Sequence, residues 1–227
     1  FVGELRAGLR AADAVLFVVS SVDGMDAATA ALWEECAGVG MPRAVAVTRL
    51  DHQRSDFEGT LAECQRVFGD NVLPLYLPLH GDDGQSVDGL IGLITQRVFD
   101  YSNGYPPAVR DPDPEHLPLI EESRNSLLEG IIAESEDEGL MERYLEGEDI
   151  ETSVIVTDLE KAVARGHFYP VIPVCASSGI DLDALLEVLI GGFPSPLEHP
   201  LPAVSGIDGS ERAPLSADLE GPLAAEV

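Results

Sequence analysis

The sequence predicts an α/β domain of three layers, in which helices cover both faces of a mainly parallel sheet. Short, apolar, β-branched runs alternate with amphipathic helical segments, and this rhythm is typical of βαβ units. An acidic segment with a different residue pattern interrupts the alternation of strands and helices, which then resumes. We therefore expect an α/β domain at residues 1–79 and 167–195, with an inserted acidic α+β subdomain at residues 80–166.

The first part of the chain predicts helices and strands in strict alternation. Residues 1–14 predict an amphipathic helix, and the run AVLFVV at residues 14–19 predicts a strand buried on both faces. A second helix, a second buried strand, a third helix and an extended run with prolines follow at residues 26–40, 43–51, 55–70 and 71–79. Ser55 or Asp56 is expected to cap the third helix. The prolines of the last run indicate an edge strand, because proline donates no hydrogen bond to a ladder.

The second part changes in texture and then returns to the α/β rhythm. Glycine-rich turns with short apolar runs predict a small strand pair, a proline-rich acidic stretch predicts a loop, and a long acidic stretch predicts helices. A buried strand, a helix and a linker complete the pattern. In the order just given, from the strand pair to the linker, the six segments occupy residues 81–107, 106–118, 119–166, 168–179, 180–193 and 196–221.

The composition restricts the classes of function. Among 227 residues, 41 are Asp or Glu and 13 are Lys or Arg, which gives a formal charge of −28. Nucleic-acid binding needs clustered Lys and Arg to neutralise phosphates, so we expect no direct nucleic-acid face in this segment. No apolar run approaches the roughly 20 residues that a membrane span requires, so we expect no membrane partner.

Cysteine and histidine usage indicates a protein of a reducing compartment, and we expect it to be cytoplasmic. Cys36, Cys64 and Cys175 are far apart and lie in apolar patterns, which favours small buried core residues. Trp33 and Phe68, on the predicted helices, are also expected in the core. The five histidines show no ligand spacing with each other or with cysteine, so no zinc site is predicted.

Both ends of the sequence look cut. Residue 1 is Phe and already lies inside a predicted helix that has no N-cap residue in front of it. At the other end, GPLAAEV stops inside an apolar run without a turn or a polar tail. We therefore expect the chain to be a piece of a longer protein, with further motifs upstream.

Polar or small residues follow two of the predicted strands at the point where each strand ends. Thr48-Arg49-Leu50-Asp51 comes directly after AVAV, and CASSG at residues 175–179 follows YPVIPV. Ligands of open α/β sheets bind outside the carboxyl ends of the strands. Taken alone, the two segments are also compatible with a polar turn after a strand and an ordinary connection to the next helix.

These residue types suit the recognition of a purine. A carboxylate at Asp51 can accept two N–H groups of guanine, from the ring nitrogen and the exocyclic amine, and adenine lacks that donor pair. Arg49 can pack its stem or its guanidinium plane over the base. Near Ser177 and Ser178 the small residues let backbone N–H groups approach a purine carbonyl, and a Ser hydroxyl can brace the loop that holds Asp51.

Motifs in colinear order resemble the translation elongation factor G family, and more narrowly its elongation factor G-like paralogues. LMERYLEGE at residues 140–148 and FPSP at residues 193–196 are the specific motifs. The family's base-reading Asn-Lys-x-Asp falls on Thr48-Arg49-Leu50-Asp51, and its Cys-Gly-Ser-Ala element is similar to residues 175–178. The resemblance implies a P-loop-GTPase-type fold, here partial because its N-terminal strands are missing, with a following β-barrel domain that starts at residues 222–227.

The resemblance implies that GTP or GDP is the cofactor. The residues implied to bind it are Thr48, Arg49, Asp51, Ser177 and Ser178. Thr48 stands where the family has Asn, so part of that contact network is shortened, whereas Asp51 is retained and with it the guanine preference. The complete protein is implied to be a GTPase. This segment contains no G-x-x-x-x-G-K-[ST] motif, so it supplies no catalytic residue, and Mg²⁺ is expected only with the missing N-terminal part.

The resemblance also implies the ribosome as a partner, with the acidic insert contacting the ribosomal stalk protein. Asp137, Glu138 and Glu142 are the candidate contacts, although a solvated helical face is the simpler interpretation of such acidic helices. The apolar residues of LMERYLEGE are expected to pack in the core of the insert instead. These residues are Leu140, Met141, Tyr144 and Leu145.

Two alternative functions stay open on the sequence. The first is a divergent, non-hydrolysing interaction module whose nucleotide pocket has decayed, and the Thr48 substitution favours it. The second is a tetracycline-type ribosomal protection protein, which shares the domain plan. An α/β hydrolase is disfavoured, because the sequence has no G-x-S-x-G elbow and no His at a later strand end.

Overall fold

The computed structural model describes residues 2–81, 84, 86–148, 150–180, 182–195, 197, 204–210, 212, 214–216, 218 and 220–221. It divides into two units, Phe1–Phe193 and Pro194–Val227. The named helices and strands all belong to the first unit. The expected start of a β-barrel domain at residues 222–227 lies outside the described residues.

The first unit shows the predicted alternation of strands and helices up to Pro74 and again from Tyr169 to Gly192. In chain order they are α1 (Val2–Ala11), β1 (Val15–Ser20), α2 (Ala27–Gly38), β2 (Arg43–Thr48), α3 (Phe57–Phe68), β3 (Val72–Pro74), β4 (Tyr76–His80), β5 (Val87–Gly92), β6 (Arg97–Asp100), β7 (Ala108–Arg110), α4 (Leu117–Ala133), α5 (Glu138–Leu145), α6 (Thr152–Ala164), β8 (Tyr169–Pro173) and α7 (Leu182–Gly192). Asp56, one of the two predicted caps, caps α3 by accepting a hydrogen bond from the backbone N–H of Gly59 at 2.8 Å.

The strands form one parallel and one antiparallel sheet. The parallel sheet has the order β1-β2-β8-β3, and the antiparallel sheet has the order β4-β5-β6-β7. In the parallel sheet Val15 pairs with Arg43 and Val47 pairs with Pro173, so β2 lies between β1 and β8. The predicted α/β class with a parallel sheet is confirmed, and the crossover order follows from the α-helices that connect parallel strands.

Helices cover both faces of the parallel sheet. On one face, Phe17 of β1 packs against Trp33 of α2 and Phe68 of α3, with ring centroids 5.0 and 5.6 Å away. Trp33 and Phe68 stack at 4.0 Å, which confirms their prediction as core residues. On the other face, apolar residues of β2 and β8 pack against Ala184 of α7. Because successive side chains of a strand point to opposite faces of the sheet, they pack into two separate apolar layers.

The run at residues 71–79 is divided between the two sheets. Its first part, β3, is an edge strand of the parallel sheet, and its second part, β4, is an edge strand of the antiparallel sheet. The division falls at Leu75, whose N–H donates to Val171 O of β8 and whose carbonyl accepts from Leu93 N, both at 3.0 Å. Both prolines lie on edge strands, as predicted. The antiparallel sheet therefore begins at Tyr76.

The insert contains more strand than the sequence predicts. Instead of a strand pair, β5, β6 and β7 form three strands, and β7 lies inside the segment 106–118, where a loop is expected. This short strand forms because Arg110 pairs with Val98 across the ladder, and its guanidinium contacts Asp100 and Asp113.

The helices of the insert pack on a common apolar core. Leu140 of α5 is fully buried, and Met141 and Tyr144 pack against the core, as predicted. The prediction for Leu145 is wrong, because its side chain is 76% exposed. Leu145 is the last residue of α5, and at that position it projects on the solvent side together with Glu142, one turn earlier.

A buried charge stands at the first residue of β2. Arg43 is only 2% exposed, and its guanidinium lies 4.3 Å from the ring centroids of both Trp33 and Tyr169. It donates hydrogen bonds to Met41 O and Trp33 O at 3.1 Å, and to the Tyr169 hydroxyl at 2.6 Å. Burial lowers the pKa of Arg43 and raises the pKa of Tyr169. The amino-terminal edge of the sheet is therefore held by a charge packed between aromatic rings.

The cysteines are buried and unbonded to each other. Cys36, Cys64 and Cys175 are each at most 1% exposed, which confirms the prediction of core residues. Burial raises the pKa of the Cys64 thiol to about 12, so it stays protonated near neutral pH. Within the described residues, no group of three His, Cys, Asp or Glu is arranged to hold a metal ion. None of the described helices has the length and apolarity to cross a membrane.

Candidate functional site

Two neighbouring parallel strands end at the same edge of the sheet and place the two predicted segments side by side. β2 ends at Thr48 and β8 ends at Pro173, and Val174 N donates to Val47 O at 2.8 Å where the strands part. The segment 48–51 continues from the end of β2, and the segment 175–179 begins directly after Val174. Their proximity is a consequence of the parallel pairing.

The side chains of Asp51 and Ser177 meet across this edge. The Ser177 hydroxyl donates to Asp51 Oδ2 at 2.6 Å, although the two residues are 126 positions apart in the chain. Both residues are exposed. The proximity that the sequence predicts for the carboxylate and the Ser hydroxyl is therefore observed.

The segment after β8 is folded on itself. The Ser178 hydroxyl donates to Cys175 O at 3.3 Å, and Cys175 N donates to Ile180 O at 3.2 Å. Gly179 has φ +74°, which glycine adopts without the steric cost that a Cβ would add. The Cys175 thiol lies 3.5 Å from the Ser177 hydroxyl. The small residues thus form a tight turn that presents Ser177 toward Asp51.

The segment after β2 is anchored by its apolar residue. Leu50 is 1% exposed, and its carbonyl accepts from the Ser55 hydroxyl at 3.1 Å. The neighbours Arg49 and Asp51 are exposed on either side of it. Burial of Leu50 fixes the backbone between them and leaves both charged side chains at the surface, where a ligand can reach them.

Thr48 is turned toward β1 rather than toward Asp51. Its hydroxyl donates to Val19 O at 3.3 Å, and its carbonyl accepts from Ser21 N at 3.0 Å. These contacts tie the end of β2 to the end of β1. Of the five predicted site residues, Thr48 is therefore the one whose polar group is used inside the sheet.

Arg49 forms an ion pair that the sequence analysis does not predict. Its Nη1 lies 2.5 Å from Asp23 Oδ2, in the turn after β1. Asp23 also accepts from the Ser20 hydroxyl at 2.9 Å, and Ser20 Oγ in turn accepts from Asp23 N at 3.1 Å. In the sequence the Asp23-Gly24 pair indicates only a turn. Its proximity to Arg49 depends on the pairing of β1 with β2.

The geometry suits binding better than covalent chemistry. A carboxylate has two oxygens with about four lone-pair sites, so the bond to Ser177 leaves Asp51 able to accept two further N–H groups. Among the described side chains at this edge, no hydroxyl or thiol is paired with a histidine base, which nucleophilic catalysis would use. The arrangement leaves an exposed carboxylate that can accept hydrogen bonds from a ligand.

Comparisons with known proteins agree with the fold. A family model described as the elongation factor Tu GTP binding domain matches residues 1–195. Two curated relatives from two strains of Mycobacterium tuberculosis, each named elongation factor G-like protein, are 56% identical over 227 residues. The alignment covers 100% of this chain and 31% of each relative, so the chain spans about a third of their length.

A solved structure supports the same assignment. A crystal structure of a protein from Thermus thermophilus superposes with a TM-score of 0.75 at 35% sequence identity, covering 87% of this chain and 29% of that chain. The resemblance to the elongation factor G-like proteins is confirmed by the identity over the whole chain. Since the family model covers residues 1–195, this chain belongs to the elongation factor Tu GTP-binding domain family.

Proposed function

We propose that this chain supplies guanine recognition to a ribosome-associated translation GTPase that resembles elongation factor G. Family membership supports the binding of a guanine nucleotide. The observation that carries the residue assignment is the 2.6 Å hydrogen bond between Ser177 and Asp51 at the carboxyl edge of the sheet. Work on the ribosome would place the protein in the cytoplasm.

Each residue of the proposed site has a distinct role. Asp51 accepts the ring N–H and the exocyclic N–H of guanine, while Ser177 holds its carboxylate in place. Ser178 lies in the tight turn whose backbone N–H groups would approach the guanine carbonyl. Arg49 would cover a face of the base with its stem or its guanidinium plane. The Thr48 hydroxyl is bonded to β1, so Thr48 contributes only its backbone, which leads to Arg49.

The proposal is limited to base recognition. The described residues include no cluster of His, Cys, Asp or Glu that could hold Mg²⁺. Phosphoryl transfer requires a phosphate-binding loop, a metal ion and a group that orients water. We therefore assign no metal ligand and no catalytic residue to the described part of this chain, and GTP hydrolysis by the complete protein is a separate proposal.

A nucleotide titration of the full-length protein tests the proposed function. We expect a saturable signal with a fluorescent GDP and at least about tenfold weaker binding of the matched ADP, since adenine leaves the Asp51 carboxylate without two donors. An ADP affinity equal to the GDP affinity would contradict the guanine site. No saturable signal with either nucleotide would favour the alternative of a non-hydrolysing interaction module.

The acidic insert is the proposed docking surface for the ribosomal stalk protein. Of the candidate residues, Asp137 already has partners within the chain. It caps α5 by accepting a hydrogen bond from Gly139 N at 3.0 Å, and it lies 3.5 Å from Arg143. The side chain of Glu138 lies outside the described part of the chain. Glu142 is exposed one turn before Leu145, which is 76% exposed. An exposed apolar residue beside an exposed carboxylate favours this end of α5 as the contact.

Substitution of Leu145 tests the docking proposal. Leu145→Ser in the full-length protein should weaken binding of the purified stalk protein about tenfold, because an apolar anchor at an interface is lost. Val39→Ser is a matched control, since Val39 is 64% exposed next to α2, outside the insert. Equal binding by both variants would remove Leu145 from the contact.

The names of the relatives also bear on the alternatives. Both curated relatives are named elongation factor G-like protein, which supports that subclass over a tetracycline-type ribosomal protection protein. The retained Asp51–Ser177 contact supports nucleotide binding over a decayed pocket. The titration with GDP and ADP distinguishes a nucleotide-binding site from a decayed pocket.

A further inference from the structure

Arg49 is held in a backbone conformation that arginine rarely adopts. Its φ is +62°, in the left-handed region, where the Cβ of an L-residue crowds the following carbonyl oxygen. Such a conformation persists where neighbouring contacts impose it. The left-handed turn sends the Arg49 side chain toward the end of β1, whereas Leu50 turns into the core.

The Asp23 carboxylate, which pairs with this guanidinium, is oriented by hydrogen bonds within its own turn. The turn after β1 is closed by the Ser20 hydroxyl, which accepts from Val22 N and Asp23 N at 3.3 and 3.1 Å and donates to Asp23 Oδ2 at 2.9 Å. The Asp23 carboxylate is thus oriented before Arg49 reaches it at 2.5 Å. An acceptor that is already ordered loses little conformational entropy when it forms the ion pair.

The segment 48–51 is therefore fastened at both sides of its buried residue. On one side Asp51 is bonded to Ser177, and on the other side Arg49 is bonded to Asp23, with Leu50 buried between them. The Thr48 hydroxyl adds no contact toward the ligand, because it is bonded to Val19 O. On the β1 side, the described side-chain contacts of the segment are the bond from the Thr48 hydroxyl to Val19 O and the Asp23–Arg49 ion pair, and the ion pair is the contact made by an exposed residue of the proposed site.

We propose that Asp23 is a positioning residue for guanine recognition, which holds Arg49 as a wall of the base slot and thereby keeps the Asp51 carboxylate in register with the base. This inference rests on the proposed nucleotide site and adds to it a residue outside the two segments that the sequence predicts. Asp23 contacts Arg49 and not the nucleotide.

The expected effect is moderate and depends on salt. The side chains of Arg49 and Asp23 are 48% and 64% exposed, and exposed ion pairs contribute at most about 1 kcal/mol, which is about fivefold in affinity. Screening shortens the reach of such a pair from about 30 Å at 0.01 M salt to about 3 Å at 1 M. Any loss on removal of the Asp23 charge should therefore be largest at low salt.

The test uses the full-length protein with fluorescent GDP and ADP as probes. Asp23→Asn should weaken GDP binding about threefold at low salt and much less at high salt. The matched control is Asp26→Asn, which removes the same charge from the connection between β1 and α2, while Asn still caps α2 as Asp26 does. The conservative variant Asp23→Glu keeps a carboxylate that can pair with Arg49, and it should retain most of the affinity that Asp23→Asn loses.

Each outcome separates this inference from the proposed function. If Asp23→Asn binds GDP as Asp26→Asn does, or if Asp23→Glu binds GDP no better than Asp23→Asn, Asp23 has no positioning role, even where the unsubstituted protein prefers GDP to ADP. If the unsubstituted protein binds GDP and ADP equally, the nucleotide site itself is wrong and the inference is wrong with it.

Discussion

Asp51→Asn in the full-length protein should lose most of the preference for GDP over ADP. The Asp51 carboxylate accepts one hydrogen bond from Ser177 at 2.6 Å and keeps capacity for two donors of guanine. An amide replaces one acceptor oxygen by an N–H₂ donor, which faces a donor of the base and leaves it unpaired. An unpaired buried donor costs about 1–3 kcal/mol, so the ratio of the two affinities should fall by about 5- to 150-fold.

The measurement is the pair of dissociation constants for fluorescent GDP and ADP, with Asp70→Asn as the matched control. Asp70 is an exposed Asp in the turn after α3, away from the carboxyl edge of the sheet. The control should keep the selectivity of the unsubstituted protein. If Asp51→Asn keeps that same ratio, the assignment of guanine recognition to Asp51 is wrong.

Arg43→Ala should lower the free energy of unfolding by about 3 kcal/mol, through lost packing and lost hydrogen bonds together. The guanidinium fills the space between Trp33 and Tyr169, at 4.3 Å from each ring, and it is the donor to two backbone carbonyls and to the Tyr169 hydroxyl. Alanine leaves a cavity between the rings and removes all of these donors. Arg43→Lys keeps the charge but not the planar fork, so its stability should fall between those of the alanine variant and the unsubstituted chain.

Urea unfolding of the 227-residue chain measures this effect, with Trp33, the single tryptophan, as the fluorescent reporter. Arg97→Ala is the matched control, because Arg97 is an exposed residue of β6 that pairs with exposed Asp111, and such pairs contribute less than about 1 kcal/mol. Similar midpoints for Arg43→Ala and Arg97→Ala would show that the buried guanidinium does not stabilise the edge of the sheet.

The parts of the molecule that the sequence predicts well are those set by local periodicity. Apolar β-branched runs that alternate with helical segments predict the parallel sheet, and the strand ends at Thr48 and Pro173 then follow from the pairing of β2 with β8. The contact between Asp51 and Ser177 is predictable for the same reason, since carboxyl ends of neighbouring parallel strands share an edge.

Other features depend on side-chain contacts over long distances in sequence. Arg43 begins a strand, and nothing near it in the chain indicates that Tyr169, which is 126 positions away, will bury it. The ion pair between Arg49 and Asp23 needs both the left-handed conformation of Arg49 and the pairing of β1 with β2. Leu145 fits the apolar stripe of α5, but the helix ends there and leaves it exposed.

Leu75 has a mechanical consequence for the inserted part of the molecule. Its N–H is bonded to β8 and its carbonyl accepts from the residue after β5, so the single residue between β3 and β4 is held on both sides. Bending at Leu75 would break these two backbone hydrogen bonds. Because β8 leads into the turn that carries Ser177, this joint resists relative motion between the antiparallel sheet and the strand that precedes the proposed site.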